Sequence, residues 1–192
     1  MLNRANRAAV TAAVEALAIV PGRVAADIGF GGGLSLALLL NRVGPAGRVH
    51  GLDISRVMLD RARRRHRHAV ADGRLVLYEA SMTDLPIADA SVDGAMTVNS
   101  IYFVGDEVFA GLARMLSPTG RLVLGLGDPV AMARDPVTVH GFRIRPVAEV
   151  EAALTAVGLT LVDHRRVGSG PDAFHLLVAR PTADRRPRPP PN

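Results

Sequence analysis

The chain has no cysteine. Disulfide scaffolds, cysteine-ligated zinc or iron–sulfur centres and thiol nucleophiles are therefore excluded, and redox chemistry says nothing of the compartment. It also lacks any apolar run near the roughly 20 residues that span a bilayer as a helix. The longest, Leu34 to Leu40, is already interrupted by Ser35. At the N-terminus Arg4 and Arg7 precede an alanine-rich stretch, but Glu15 breaks it and no small-residue cleavage site follows, so residues 1–20 read as a helix rather than an export signal. A cytoplasmic protein is the expectation. Lysine is missing too: all 23 basic residues are arginine. That looks more like a bias towards GC-rich codons than a selected phosphate-binding surface.

What is present fits an ordinary globular chain. Of 192 residues, 48% are hydrophobic and 21% charged, so the bulk is neither disordered nor fibrous, and the length suits one domain with short appendages. The net charge of +5 is unevenly placed. Six arginines against Asp60 put +5 on the segment Arg56 to Arg67, and four against Asp184 put +3 on the stretch from Arg180 onward, leaving −3 elsewhere. A solvated helix face and a flexible tail account for this more simply than a nucleic-acid footprint. The last twelve residues, Pro181 to Asn192, hold five prolines and three arginines without periodicity, and are expected to be disordered.

Between these ends the pattern alternates. Val24 to Ile28 is a short apolar run that opens into Gly29-Phe30-Gly31-Gly32-Gly33, and Leu34 to Arg42 reads as a helix closed by Gly44-Pro45. Arg48 to Asp53 is a second strand, and Ser55 caps a helix expected over Val57 to Ala71. Leu75 to Tyr78, Gly94 to Val98 and Arg121 to Leu126 are further strands, with a helix over Asp106 to Leu116. An irregular stretch, 128–145, is a candidate lid. A helix then starts at Pro146 and ends at Gly158, and the strands Thr160 to Arg165 and Phe174 to Ala179 form an antiparallel pair. The expected architecture is a Rossmann-like, seven-stranded open α/β sheet over residues 1–180, mostly parallel with one antiparallel edge strand and helices on both faces.

A glycine loop between first strand and first helix lets backbone approach a ligand at the carboxyl end of the sheet. Its spacing excludes two ligand classes. The dinucleotide pattern G-x-G-x-x-G begun at Gly29 and Gly31 needs a third glycine where Leu34 stands, and the G-x-x-x-x-G-K-[ST] phosphate loop needs a lysine. What remains is Asp27-x-Gly29-x-Gly31-x-Gly33, an acid at a strand end followed by glycines at every second position.

In this the chain resembles the class I S-adenosylmethionine-dependent methyltransferases, whose first motif is D/E-x-G-x-G-x-G. The resemblance implies that S-adenosyl-L-methionine is the cofactor and S-adenosyl-L-homocysteine the product. Asp27 then holds the α-ammonium, directly or through water, while Gly29, Phe30, Gly31 and Gly33 pass beneath the ribose and methionine portions. Asp53, 24 residues after Gly29, is similar to the family's ribose-binding acid, and Ile54 would lie against adenine. Ser81-Met82-Thr83-Asp84-Leu85-Pro86-Ile87 with Ser91-Val92-Asp93 looks like the family's D-A-x-x-L-P-F…F-D stretch. Here Ser81 replaces an aspartate that reaches the adenine amino group, and can accept one weaker bond, whereas Met82 supplies apolar contact. Met58 is either a further cofactor contact or ordinary helix core. Asn99 and Tyr102 stand where the family places residues between cofactor and acceptor. The prolines of the N-P-P-Y motif are absent, which argues against base or glutamine amino nitrogens as acceptors. Arg114 to Leu122 matches the family's helix-to-strand turn, so the resemblance covers about residues 20–180.

The implied reaction is in-line displacement at the sulfonium methyl, catalysed mainly by alignment. An alcohol or phenol acceptor would also need a base, for which His140 and Tyr102 are the candidates; His140 serves equally well as an ordinary surface or core histidine. Phe103, Met132 and Phe142 either line an apolar pocket or pack in the core. With little chain available to cap the site, a small-molecule acceptor is expected, with nucleic acid, metal and a membrane span not expected. An RNA or protein methyltransferase, or a non-catalytic cofactor-binding module, are the alternatives.

Overall fold

The computed structural model describes residues 4–134, 142–170 and 173–182. Helix α1 (Arg4–Ala16) leads into β1 (Val24–Ile28), α2 (Leu34–Val43), β2 (Arg48–Asp53), α3 (Arg56–Arg65), α4 (Arg67–Ala71), β3 (Leu75–Glu79) and β4 (Val92–Val98). A 3-10 turn (Ile101–Phe103), α5 (Glu107–Met115), β5 (Leu116–Gly127), α6 (Pro129–Met132), α7 (Val147–Ala156), β6 (Leu159–Val167) and β7 (Phe174–Pro181) complete it. The strands form one seven-stranded sheet in the order β3-β2-β1-β4-β5-β7-β6. All pairings from β3 to β5 are parallel, and β7 runs antiparallel to both β5 and β6. The Rossmann-like α/β architecture is thus present, and the antiparallel strand at that margin is β7, seated one place in from the edge.

Because helices cover both faces, the central strands are apolar throughout rather than alternating. One face carries α1, α2 and α3, whose Val14, Leu36, Leu39 and Leu59 bury against Val49, Met96 and Val178. On the other, Phe109 and Leu112 of α5 and Leu154 of α7 bury against Ile28, Ala95 and Leu177. Strand order reverses between β1 and β4, and that switch point opens the crevice in which open α/β sheets bind ligands.

Three boundaries differ from expectation. The helix expected over Val57 to Ala71 is broken at His66 (φ −114°, ψ 31°) into α3 and α4. Like charges four residues apart, Arg61 with Arg65 and Arg63 with Arg67, disfavour one continuous helix there. The stretch 128–145 contains α6, started by Asp128, whose carboxylate accepts from the N–H groups of Val130 and Ala131. And Pro181, assigned above to the tail, belongs to the sheet, where it pairs with Leu159, while the N–H of Thr182 just beyond it donates to the Gly158 carbonyl at 3.0 Å. The rest of the tail, and His140, lie outside the described residues.

The segment leading into α7 is held by an anchor. Arg145 is fully buried: it ion-pairs with Asp106, donates to the Val104 carbonyl at 2.7 Å and lies over the Phe109 ring at 5.5 Å. Among the described residues no helix is long and apolar enough to cross a membrane.

Candidate active site

The glycine loop is stitched to the end of β2. Gly29 and Phe30 donate their N–H groups to the Leu52 carbonyl at 2.7 and 3.3 Å, and Gly31 donates to Asp53 Oδ2 at 2.8 Å. Asp53 Oδ1 accepts from the Ser55 N–H at 2.8 Å, so this carboxylate ties together the loop and the start of α3. Gly29 and Gly31 both have positive φ, 77° and 51°, a region that a side chain makes unfavourable. A Cβ at Gly29 would stand 2.6 Å from Ser100 Oγ, whereas one at Gly31 would meet nothing within 4 Å because it would project into the open crevice.

Two adjoining cavities follow, sharing Gly29 and Asn99 as common wall. The smaller, about 100 Å³, is bounded by Asp27, Phe30, the glycines through Gly33, Ser35 and, from α1, Asn6. The larger, about 330 Å³, is bounded by Asp53, Ile54, Ser81, Met82, Ser100 and Phe103. Asp27, 2% exposed at the end of β1, has no hydrogen-bond partner for Oδ2 among the described residues. Burial pushes its carboxyl up to about 7, assisted by the Asp53 charge and opposed by the Ser35 hydroxyl.

The expected residues therefore converge in two groups, with one exception. Asp27, Gly29, Phe30, Gly31, Gly33 and Asn99 surround the smaller cavity, and Gly29, Asp53, Ile54, Ser81, Met82 and Asn99 the larger. Met58 borders neither; it packs behind the loop in a separate small cleft with Arg61 and Arg65. Ser81 is present but committed, its hydroxyl 2.7 Å from Thr83 Oγ1 and accepting the Thr83 N–H at 3.2 Å in a local turn. Ile54 is 75% exposed beside the cavity, as is Phe103 at 60%, whose ring stands edge-on to Phe142 at 4.6 Å between centroids. Met132 packs against the Gly127 backbone.

Tyr102 does not fit a general base. Its ring is buried, its hydroxyl accepts the Gly127 N–H at 2.6 Å and donates to Asn99 Oδ1 at 3.3 Å. Burial pushes the phenol up to about 12, so it stays neutral and structural at physiological pH. Asn99 is itself unusual, a non-glycine residue at φ 59° whose Nδ2 donates to Asn6 Oδ1 at 2.9 Å. Sequence reasoning missed Asn6, Ser35 and Ser100. Ser35, two residues into the helix after the glycines, carried a local signal. Asn6 carried none, since it meets Asn99 from 93 residues away.

Comparison with known proteins agrees with this geometry. Residues 25–120 match the family model described as a methyltransferase domain. The chain is 38% identical over 120 residues to an uncharacterized 37.1 kDa protein in transposon TN4556 of Streptomyces fradiae, covering 60% of this chain and 33% of that one. It is 32% identical over 117 residues to the O-methyltransferase resE of Aspergillus sclerotiorum, covering 56% and 44%. The chain thus spans less than half the length of these two relatives. In fold it resembles the geranyl diphosphate C-methyltransferase of Streptomyces coelicolor, solved with S-adenosyl-L-homocysteine, at a TM-score of 0.77 with 19% identity, covering 92% of this chain and 80% of that one. Glycine loop, paired strand-end acids, sheet order and family match converge: this chain belongs to the class I S-adenosylmethionine-dependent methyltransferase family.

Proposed function

We propose that the chain transfers a methyl group from S-adenosyl-L-methionine to a small-molecule acceptor. The observation that carries the reading is the placement of Asp27 and Asp53 on adjacent strand ends, on either side of a glycine loop that opens both cavities. The residues suit the cofactor's chemistry. Asp27 offers to an α-ammonium group a buried carboxylate oxygen that has no partner among the described residues. Asp53, already oriented by two backbone donors, retains lone pairs for two ribose hydroxyls. Ile54 and Met82 provide apolar surface for adenine, Phe30 and Gly33 bound the methionine side, and Asn99 stands where the two cavities meet.

When bound, the cofactor supplies a methyl group already activated by the sulfonium charge. The chain's own contribution is to hold and orient the reactants and to exclude water. Such positioning supplies roughly 7–11 kcal/mol of a barrier. Tyr102 keeps Asn99 in place, and the aromatic pair Phe103 and Phe142 stands at the mouth as an apolar wall for the acceptor. A small acceptor is supported by relatives named for O-methyl transfer.

Calorimetry tests the cofactor arm: S-adenosyl-L-homocysteine binds and NAD does not, and the opposite result overturns the reading. Methyl transfer from labelled S-adenosyl-L-methionine into size-separated lysate fractions tests the acceptor. Label confined to the small-molecule fraction supports the reading, and label confined to RNA or protein replaces it.

A further inference from the structure

The far end of the sheet carries a second concave site that the methyl-transfer reading leaves unused. It lies at the amino ends of β1 and β4, and β1's five residues at about 3.3 Å each put it roughly 17 Å from the glycine loop. Three guanidinium groups reach it from three elements: Arg23 ahead of β1, Arg121 on β5 and Arg180 on β7. They surround a cavity of about 150 Å³ closed on one side by the loop Leu17 to Val20. A cleft of this volume suits a compact anion rather than a polymer track.

The charge here is not balanced locally. Among the described residues Asp93 is the one acid bounding the cavity, and both its oxygens are already engaged. Oδ2 accepts the Val24 N–H at 3.0 Å, and Oδ1 lies 3.5 Å from the Ser117 hydroxyl and 3.6 Å from Arg23. Arg121 spends one N–H on the Ala16 carbonyl at 3.0 Å, which fixes its fork in place. Burial, with the neighbouring charges of Arg180 and Arg165, pulls Arg121 below its ordinary value, against the opposing Asp163. Arg180 has no ion pair among the described residues, and Thr119 also lines the cleft. Converging cations in a concave site, one of them preoriented, is the arrangement that takes a compact oxyanion by paired N–H donors.

We propose that this cleft binds the phosphate group of a small phosphorylated molecule, in a site separate from the crevice holding Asp27 and Asp53. The inference does not depend on the methyl-transfer reading.

The test is calorimetric titration of the full chain at fixed ionic strength with inorganic phosphate, pyrophosphate and glycerol 3-phosphate, with S-adenosyl-L-homocysteine binding and melting temperature measured in parallel. Arg23→Gln with Arg180→Gln removes two exposed cations and leaves Arg121 on its carbonyl. This pair is expected to weaken binding at least tenfold without moving the melting temperature or affinity for S-adenosyl-L-homocysteine, and Arg180→Lys recovers part of the loss. The control, Arg63→Gln with Arg64→Gln on α3, removes the same charge elsewhere and should change affinity less than twofold. Tighter binding of glycerol 3-phosphate than of phosphate identifies an ester as the ligand, and the reverse identifies the free ion. Three results would overturn the proposal: no saturable binding up to about 10 mM, equal weakening by the α3 control, or binding of only a single-stranded oligonucleotide.

Discussion

Tyr102 donates to Asn99 Oδ1 at 3.3 Å while accepting the Gly127 N–H at 2.6 Å, so one phenol joins the residue shared by both cavities to the end of β5 where α6 begins. Tyr102→Phe keeps the ring and removes both bonds. Losing this bond at the partly buried Gly127 N–H should destabilise the fold by about 1 kcal/mol. Urea unfolding measures this, and an unchanged midpoint would show that the hydroxyl does not hold the strand end.

Asp53→Ala should weaken S-adenosyl-L-homocysteine binding by about 1.5–3 kcal/mol, the range for hydrogen bonds to a charged acceptor. The same change frees the Gly31 and Ser55 N–H groups, so melting temperature must be followed as well. A folded variant with wild-type affinity removes Asp53 from the ribose-binding role.

Asp27 makes cofactor affinity depend on pH. With its carboxyl near 7 in the free protein, binding an ammonium must expel a proton from part of the population below that pH. Affinity should therefore rise by up to about tenfold per pH unit between pH 5 and 7 and level off above, with proton release visible in buffers of different ionisation enthalpy. Asp27→Asn should flatten this profile. Stability of the free protein follows the opposite sign. Because the folded value lies above the unfolded value of about 3.9, the carboxyl's favourable contribution is complete below pH 4 and is lost as pH rises through 7. Chemical unfolding of wild type and Asp27→Asn at pH 5 and 7.5 tests it.

Arg145→Met should destabilise by about 1.5–3 kcal/mol, through loss of a charged bond to the Val104 carbonyl. The Arg145 hydrogen bond holds the Asp106 carboxyl below its usual range, assisted by the Arg143 charge. The pair's contribution is thus present above about pH 3.9 and fades as pH falls through the lower folded value. Urea melts at pH 3 and pH 6 should show the wild-type advantage over Arg145→Met shrinking at the lower pH.

Strands and helices were legible where short-range pattern decides them. The apolar run ending at Ile28, the glycines after it and the acid closing β2 are all local signals, and they locate the crevice. What escaped depends on partners distant in sequence. The alternation in 159–179 predicts a hairpin, but nothing within it says that β7 enters beside β5 rather than outside β6. Tyr102 reads as reactive from its type and neighbourhood, whereas only burial and the Gly127 N–H reveal it as a brace. Met58 has the same helical spacing as a cavity residue, and the rotation of α3 turns it behind the glycine loop.

The seat of β7 between β5 and β6 imposes an order on assembly. β6 precedes β7 in the chain, yet among the described residues its only strand neighbour is β7. Leu159 to Val167 therefore gains its place in this sheet only after Phe174 to Pro181 has been synthesised and paired with β5. The part of the molecule that holds both cavities is translated, and can pair its strands, before that margin is sealed.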